Sequence, residues 1–345
     1  MAETQNMSMK SRNGFLDSVK GMAIFLVVFA HCIQFGSGNE ALLSDAHFHH
    51  WMFKLIYTFH MPVFMLVSGY LFWFSTQRHS AADIVKKRIL HLLLPVFTWQ
   101  TLCIICNLLL KTGSYHTWDS IFNSYLSVLW FLVSLFLNCL IVLILKPGIN
   151  QATIWKTAPF LLMLFVPYHP TLCLFIFMFP FFLTGYLVNA SGILNRIKMP
   201  RPARVSITIA LVIVFIAMYL NYTYEHYIYT TGTFIVSHHQ LSPERIYIVL
   251  FRWTIGFVGS ALFLLLIKYM YAHLPSTSLL QYLGTNSLGI YIVSTYLFML
   301  HSVAPQPRPG MLLYIVLSVI VTALSCAITA ALGRNAVTKR LFLGG

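Results

Sequence analysis

The residues best suited to chemistry are two histidines, a lysine and an aspartate near the start of the chain. His31 follows Lys20 by eleven positions in an otherwise apolar run. At 1.5 Å rise per residue that is ~16 Å along a helix. Eleven residues is also close to three turns, so both side chains point to one face. Lys20 can therefore stand at a membrane surface while His31 lies near mid-membrane. Such a stripe suits a long anionic substrate: the ammonium anchors its charge, and the imidazole can take a proton near neutral pH. A core histidine satisfied by a neighbouring carbonyl is the plainer alternative. Asp17, three residues before Lys20, is placed to form a local ion pair with it or to cap the helix start. His60 opens a second apolar run in which Pro62 interrupts the helix ladder and Ser68-Gly69 permits close helix approach. Arg252 lies inside a later apolar run, where a guanidinium needs a partner. Glu244 or Glu225 could supply one, or the side chain could snorkel outward.

Elements that position these groups must cross a bilayer. The chain of 345 residues is 58% hydrophobic and 9% charged, against roughly 25% charged in average soluble proteins. Its mean hydropathy is +0.77. Ten apolar segments can be drawn, at about 15–35, 55–74, 89–110, 122–145, 154–168, 171–189, 205–221, 246–268, 279–300 and 311–332. All but the short fifth, which ends at Pro167-Tyr168-His169-Pro170, approach the ~20 residues that span the hydrocarbon core. The expected fold is all-α: a polytopic transmembrane helical bundle of about ten helices. One membrane domain occupies 1–345, with no soluble appendage and an uncleaved first helix.

Basic residues orient the stack. One set of alternate loops holds Lys10, Arg12 and Lys20; Arg78, Lys86, Lys87 and Arg88; Lys146 and Lys156; Arg196, Lys198, Arg201 and Arg204; Lys268; and Arg334, Lys339 and Arg340. Of the 22 basic residues, only Lys54, Lys111, Arg245, Arg252 and Arg308 fall elsewhere. By the positive-inside rule both termini face the cytosol. The net charge of +14 then serves topology and anionic groups at the membrane surface, not nucleic acid. The opposite loops, 36–53 and 222–245, are rich in His and Tyr. They can stack on and hydrogen-bond sugars, or form an interfacial aromatic belt. The six cysteines (Cys32, Cys103, Cys106, Cys139, Cys173, Cys326) lie in apolar segments and read as small hydrophobes. No metal site, phosphate-binding loop or dinucleotide fingerprint is legible.

Several of these segments resemble the acyltransferase 3 family of membrane O-acyltransferases. Phe15-Leu16-Asp17-Ser18-Val19-Lys20-Gly21 followed by His31 is similar to that family's opening signature, and Phe59 to Phe72 to its second. Lys86-Lys87-Arg88-Ile89-Leu90-His91 before Pro95 sits where the family has a basic motif. Leu129-Trp130-Phe131-Leu132, Phe182-Leu183-Thr184-Gly185-Tyr186 and Asn286-Ser287-Leu288-Gly289-Ile290-Tyr291 also match. The resemblance runs from 15 to about 300. Three positions depart: Lys20 and His91 stand where Arg is usual, and Ser294 where many members carry His. The first two weaken the expected grip on an anionic donor, and the third leaves more weight on His31 and His60.

The resemblance implies transfer of acetyl, or sometimes succinyl, from an acyl-CoA to a hydroxyl. The usual acceptors are sugars of bacterial envelope glycans: O-antigen, common antigen or exopolysaccharide units. It implies the stand-alone form of the family, in the bacterial inner membrane, with acetyl-CoA as co-substrate and no tightly bound cofactor. A glycan or lipid-linked sugar is the expected partner. Such transfer needs a base, for which His31 is the first candidate and His60 the second, with Asp17 beside them as the third catalytic candidate. It needs oxyanion donors, for which Ser68, Tyr70 or a backbone N–H near Gly69 are available. Cations must meet the donor phosphates, and Lys20, Lys87 and Arg88 are at hand. Trp130, through its motif, and Arg252 complete the candidate substrate contacts. A flippase or transporter of a lipid-linked glycan would explain the crossings equally well but not the ordered motifs, and an inert sensor would tolerate loss of His31.

Overall fold

The computed structural model describes residues 13–36, 47–110, 117–146, 170–197, 199–228, 236–237, 240–301 and 310–345. Within them the chain is a bundle of α-helices, apart from a two-residue antiparallel ladder, Val236–Ser237 with Gln240–Leu241. Hydrocarbon offers no partner to backbone N–H and C=O groups, so apolar spans close their hydrogen bonds internally as helices. Among the described residues seven helices are long and apolar enough to cross a membrane, and one bent pair makes up to eight. Ser287–Met299 is a shorter apolar stretch. The expected crossing at 154–168 lies outside the described residues.

Local sequence sets the starts. Helix α1 (Gly14–Gly36) begins where the Asn13 side chain accepts from the backbone N–H of Phe15 and Leu16. Asn13, not Asp17, is therefore the cap. Helices α2 (Trp51–Tyr57) and α3 (His60–Arg78) follow one another across Thr58-Phe59. Pro62 does not break a helix as the sequence suggests. It falls in the first turn of α3, where a missing N–H leaves no bond unmade, and the interruption precedes it. Helix α4 (Ala81–Arg88), capped by Ser80, runs through a π-turn at Ile89–Leu93 into α5 (Leu94–Leu109).

The segment read as one straight crossing at 122–145 is two helices. These are α6 (Trp118–Ser127), opened by a Thr117/Ser120 capping box, and α7 (Trp130–Leu145). They meet at 73° across Val128-Leu129. Neither Pro nor Gly marks the bend, which is why the uniformly apolar sequence conceals it.

Two pairs of glycines lock the helices that carry the candidate site. Gly21 of α1 lies against the carbonyl of Leu280, and Gly284 against the carbonyl of Asp17. This joins α1 to the Ser278–Thr285 helix. Gly69 of α3 meets the carbonyl of Phe182, and Gly185 that of Leu66, joining α3 to the Phe179–Ser191 helix. At all four positions a Cβ would collide with backbone, so the crossing distance requires glycine. The core between these pairs is apolar and aromatic, with Ile24, Val28, Met65, Phe72, Phe179 and Phe182 fully or almost fully buried.

Candidate active site

Three cavities meet end to end along α1 and α3. Lys20, Ile24, Val27 and His31 recur at steps of four, three and four residues, a single stripe along α1. The first cavity, of about 660 Å³, is lined by Asp17, Lys20, Tyr70, Arg78 and Tyr271 among others. The second, of about 260 Å³, shares Lys20 and adds Ile24, Val27, Met61, Ser68 and Arg88. The third is a chamber of about 60 Å³ lined by Val27, His31, His60, Met61, Trp130 and Arg252 with others. Val27, Met61 and Tyr291 line both the second cavity and the chamber. The three cavities therefore lie in a row, a passage closed at one point by three shared side chains, from a basic end to a pair of histidines.

At the basic end the Lys20 ammonium sits 2.8 Å from Asp17 Oδ1. Asp17 is buried and Lys20 half-buried, so the carboxylate fixes the ammonium while leaving it room to donate to an anion. The guanidinium of Arg88 lies 5.4 Å from the centre of the Phe72 ring, a cation–π contact that holds it over the cavity. Lys87 is not brought to the passage. It is exposed, and its ammonium lies 3.2 Å from His79 Nε2. Adjacent helix positions differ by about 100°, so the two cations cannot share a face. Arg78, which the sequence marks only as a loop cation, does join Lys20 at the first cavity.

His31 and His60 both face the chamber. His60 Nδ1 is 2.8 Å from the carbonyl of Ile56. A carbonyl only accepts, so Nδ1 carries the proton, and the neutral ring has its lone pair on Nε2. His31 Nδ1 is buried without a partner among the described residues. Its ring stands edge-on to Phe35 and Phe298. The two rings thus differ in kind: one has a fixed tautomer, and the other is free to choose. The proposed oxyanion donors are elsewhere. Ser68 lines the second cavity, Tyr70 the first, and Gly69 is pressed against Phe182. Trp130, beside the 73° bend, does line the chamber.

Arg252 closes the chamber at its far end. It is 5% exposed. Its guanidinium donates to three successive main-chain carbonyls, from Nε to His226 at 2.5 Å and from Nη2 to Glu225 at 3.1 Å and Tyr227 at 2.9 Å. Backbone oxygens are thus among its partners, and these bonds tie residues 225–227 to the long helix Pro243–His273 that carries Arg252. Burial, and then the charges of Arg252 and Lys54, hold the His226 imidazole below its ordinary pKa. Burial pushes the Tyr222 hydroxyl up to about 12, against the pull of Arg252. The sequence marks this segment only as aromatic and His-rich, and its period gives no sign of which side chain turns inward.

Two departures from the expected motifs take other roles. His91, in the π-turn, donates from Nδ1 to the carbonyl of Gly344, and Trp99 Nε1 donates to Phe342 at 3.0 Å. These bonds hold the Ala336–Leu343 helix against α5. Ser294 is buried and donates to the carbonyl of Tyr291 at 3.2 Å.

Comparison with known proteins agrees with this arrangement. A family model described as an acyltransferase domain matches residues 13–330. Nodulation protein NolL of Mesorhizobium japonicum is 25% identical over 310 residues, covering 84% of this chain and 78% of that protein. Nodulation protein NolL of Sinorhizobium fredii is 38% identical over 95 residues, covering 27% of this chain and 24% of that protein. No solved structure matches the chain. A family match over nearly the whole chain, on a bundle of long apolar helices, makes this a multi-pass membrane acyltransferase belonging to the acyltransferase 3 family.

Proposed function

We propose that the protein moves an acetyl group from acetyl-CoA to a hydroxyl of a bacterial envelope sugar at the inner membrane. One observation carries this reading: a row of adjoining cavities has cations at one end and two histidines at the other. The phosphates of the donor meet Lys20, Arg88 and Arg78, where charge-assisted hydrogen bonds are the strong ones. The pantetheine arm lies along the Ile24–Val27 stripe, and the thioester reaches the junction at Val27, Met61 and Tyr291. The acceptor, a glycan or lipid-linked sugar, presents its hydroxyl from the end strapped by Arg252.

His31 takes the proton from that hydroxyl as the oxygen attacks the thioester carbonyl. The tetrahedral oxyanion accepts from the Trp130 indole N–H. It then collapses with loss of the C–S bond, and the proton returns to the departing thiolate. His60, with Nδ1–H committed to Ile56, keeps a lone pair on Nε2 and is the second candidate for the base. The chamber supports acetyl over longer acyl groups. Its volume of about 60 Å³ admits roughly four to six water-sized groups at ~10–15 Å³ each.

The test is His31→Gln in the purified full chain in nanodiscs. Gln keeps a hydrogen-bonding group but is no base, so transfer should fall by about 10²- to 10⁴-fold while acetyl-CoA still binds. Near wild-type transfer by His31→Gln would remove His31 as the base.

A further inference from the structure

We propose that His226 is a fixed hydrogen-bond donor for the acceptor sugar, holding one of its oxygens at the chamber end remote from Lys20. The inference rests on the sugar O-acylation reading above and names the residue that would recognise the sugar.

The argument begins with the ring's tautomer. The backbone N–H of Thr223 points at His226 Nδ1 at 3.1 Å, and the Thr223 hydroxyl lies 2.8 Å from the same nitrogen. A backbone N–H can only donate, so Nδ1 is an acceptor and the proton of the neutral ring is on Nε2. That Nε2–H is buried and meets no partner among the described residues. His226 is only 7% exposed, and it lines the chamber together with His31 and His60. A buried donor without an acceptor is costly and uncommon in a folded protein. The group that satisfies it must bring an oxygen or nitrogen lone pair.

Its surroundings select the class of ligand. Phe251 packs on the ring with centroids 4.3 Å apart, and Tyr222 lies at 5.8 Å. Tyr222, as a phenol with an ordinary pKa of ~10 that burial raises further, keeps its hydroxyl proton at neutral pH. An aromatic wall beside a neutral donor suits an uncharged polyol with apolar C–H faces. The neighbouring cation, Arg252, commits Nε and Nη2 to the carbonyls of residues 225–227, so it positions the segment that carries His226. The chamber is too small for a pyranose ring. The ring therefore rests against the 222–228 segment, with one hydroxyl in the chamber and a neighbouring oxygen on His226.

Two substitutions separate binding from folding. His226→Asn puts an amide oxygen near the Nδ1 position, which can still accept from Thr223, but removes the N–H in the chamber. His226→Gln returns an N–H near the Nε2 position. Full-length protein in nanodiscs is assayed with radiolabelled acetyl-CoA and a mixture of methyl pyranosides as acceptor probe, alongside acetyl-CoA hydrolysis without acceptor. His226→Asn should raise the acceptor KM about five- to tenfold, as expected for one lost hydrogen bond of ~1 kcal/mol. The donor KM should move less than the acceptor KM, and His226→Gln should recover part of the loss. An acceptor KM within twofold of wild type in folded His226→Asn would overturn the proposal alone. A wild-type protein that hydrolyses acetyl-CoA yet acylates no pyranoside and no native envelope glycan would overturn the sugar reading and this inference with it.

Discussion

Val27 is the narrowest test of the passage, because it lines both the cavity that holds the cations and the chamber that holds the histidines. Replacing it by Phe adds four carbons to a side chain that is 2% exposed. The chamber beyond it takes about 60 Å³. At ~10–15 Å³ per water-sized group, four added carbons consume most of that space. Overpacking a tight core costs about 1–3 kcal/mol, but here the added ring has a cavity to enter, so the loss should lie at the low end. Catalysis has no such relief. A thioester held even ~1 Å short of its attacking oxygen can lose on the order of 10²-fold in rate. The assay measures acetyl-CoA affinity by calorimetry, transfer by product mass and Tm by light scattering, all on the same preparation. Val27→Phe should still bind acetyl-CoA, with a loss of affinity well below its loss of rate, and transfer at least ~10²-fold more slowly. Val27→Ala should transfer acetyl normally and accept propionyl-CoA better than wild type. Folded Val27→Phe that transfers at the wild-type rate would show that acyl groups do not pass this junction.

Lys20→Met and Arg88→Met should each weaken acetyl-CoA binding by roughly ten- to a hundredfold, the equivalent of ~1.5–3 kcal/mol per charged contact. Lys20→Arg should bind normally, and calorimetry that finds Lys20→Met unaltered would take the donor phosphates elsewhere. The 222–228 strap should depend on pH. His226 has its folded pKa below the ordinary histidine value, so the unfolded chain holds more protons between the two. Its contribution is full above the ordinary value and falls as pH drops toward the folded one. The Tm difference between wild type and His226→Asn should therefore shrink below about pH 6.5, and a difference that stays constant down to pH 5 would contradict that coupling. Both termini and residues 190–204 should face the cytosol. A cysteine at position 204, in a background without the six native cysteines, should resist impermeant reagents added to intact cells, and rapid labelling would invert the topology.

What the sequence discloses is governed by period. The eleven-residue interval from Lys20 to His31 fixes a face, and the structure joins both residues to one passage. The same logic cannot choose between Lys87 and Arg88, because both belong to one basic run and only packing decides which turns inward. Proline is a signal with two readings: Pro62 marks a helix start, not a break, and only the preceding Thr58-Phe59 interruption tells them apart. The 73° bend at Val128-Leu129 leaves no mark in an apolar sequence, since hydrophobic periodicity vanishes where every face is apolar. His226 is hidden for another reason. Its role follows from a tautomer set by Thr223 and a strap set by Arg252, 26 residues further along, and neither is a pattern in neighbouring letters.

The paired glycine contacts divide the molecule into a chassis and its moving parts. Each pair seats a Cα of one helix against a carbonyl of the other, in both directions. Sliding either helix by even one residue would drive a side chain into that carbonyl. Helix α1 therefore travels with Ser278–Thr285, and α3 with Phe179–Ser191, and the spacing of Lys20 to Leu280 and of Met61 to Phe182 is held through any working cycle. If the passage widens to admit a pantetheine arm or a sugar, the motion falls to places without such seats. Two of those are the angle between α6 and α7, which carries Trp130 at its edge, and the 222–228 strap, whose carbonyls at 225–227 accept from Arg252.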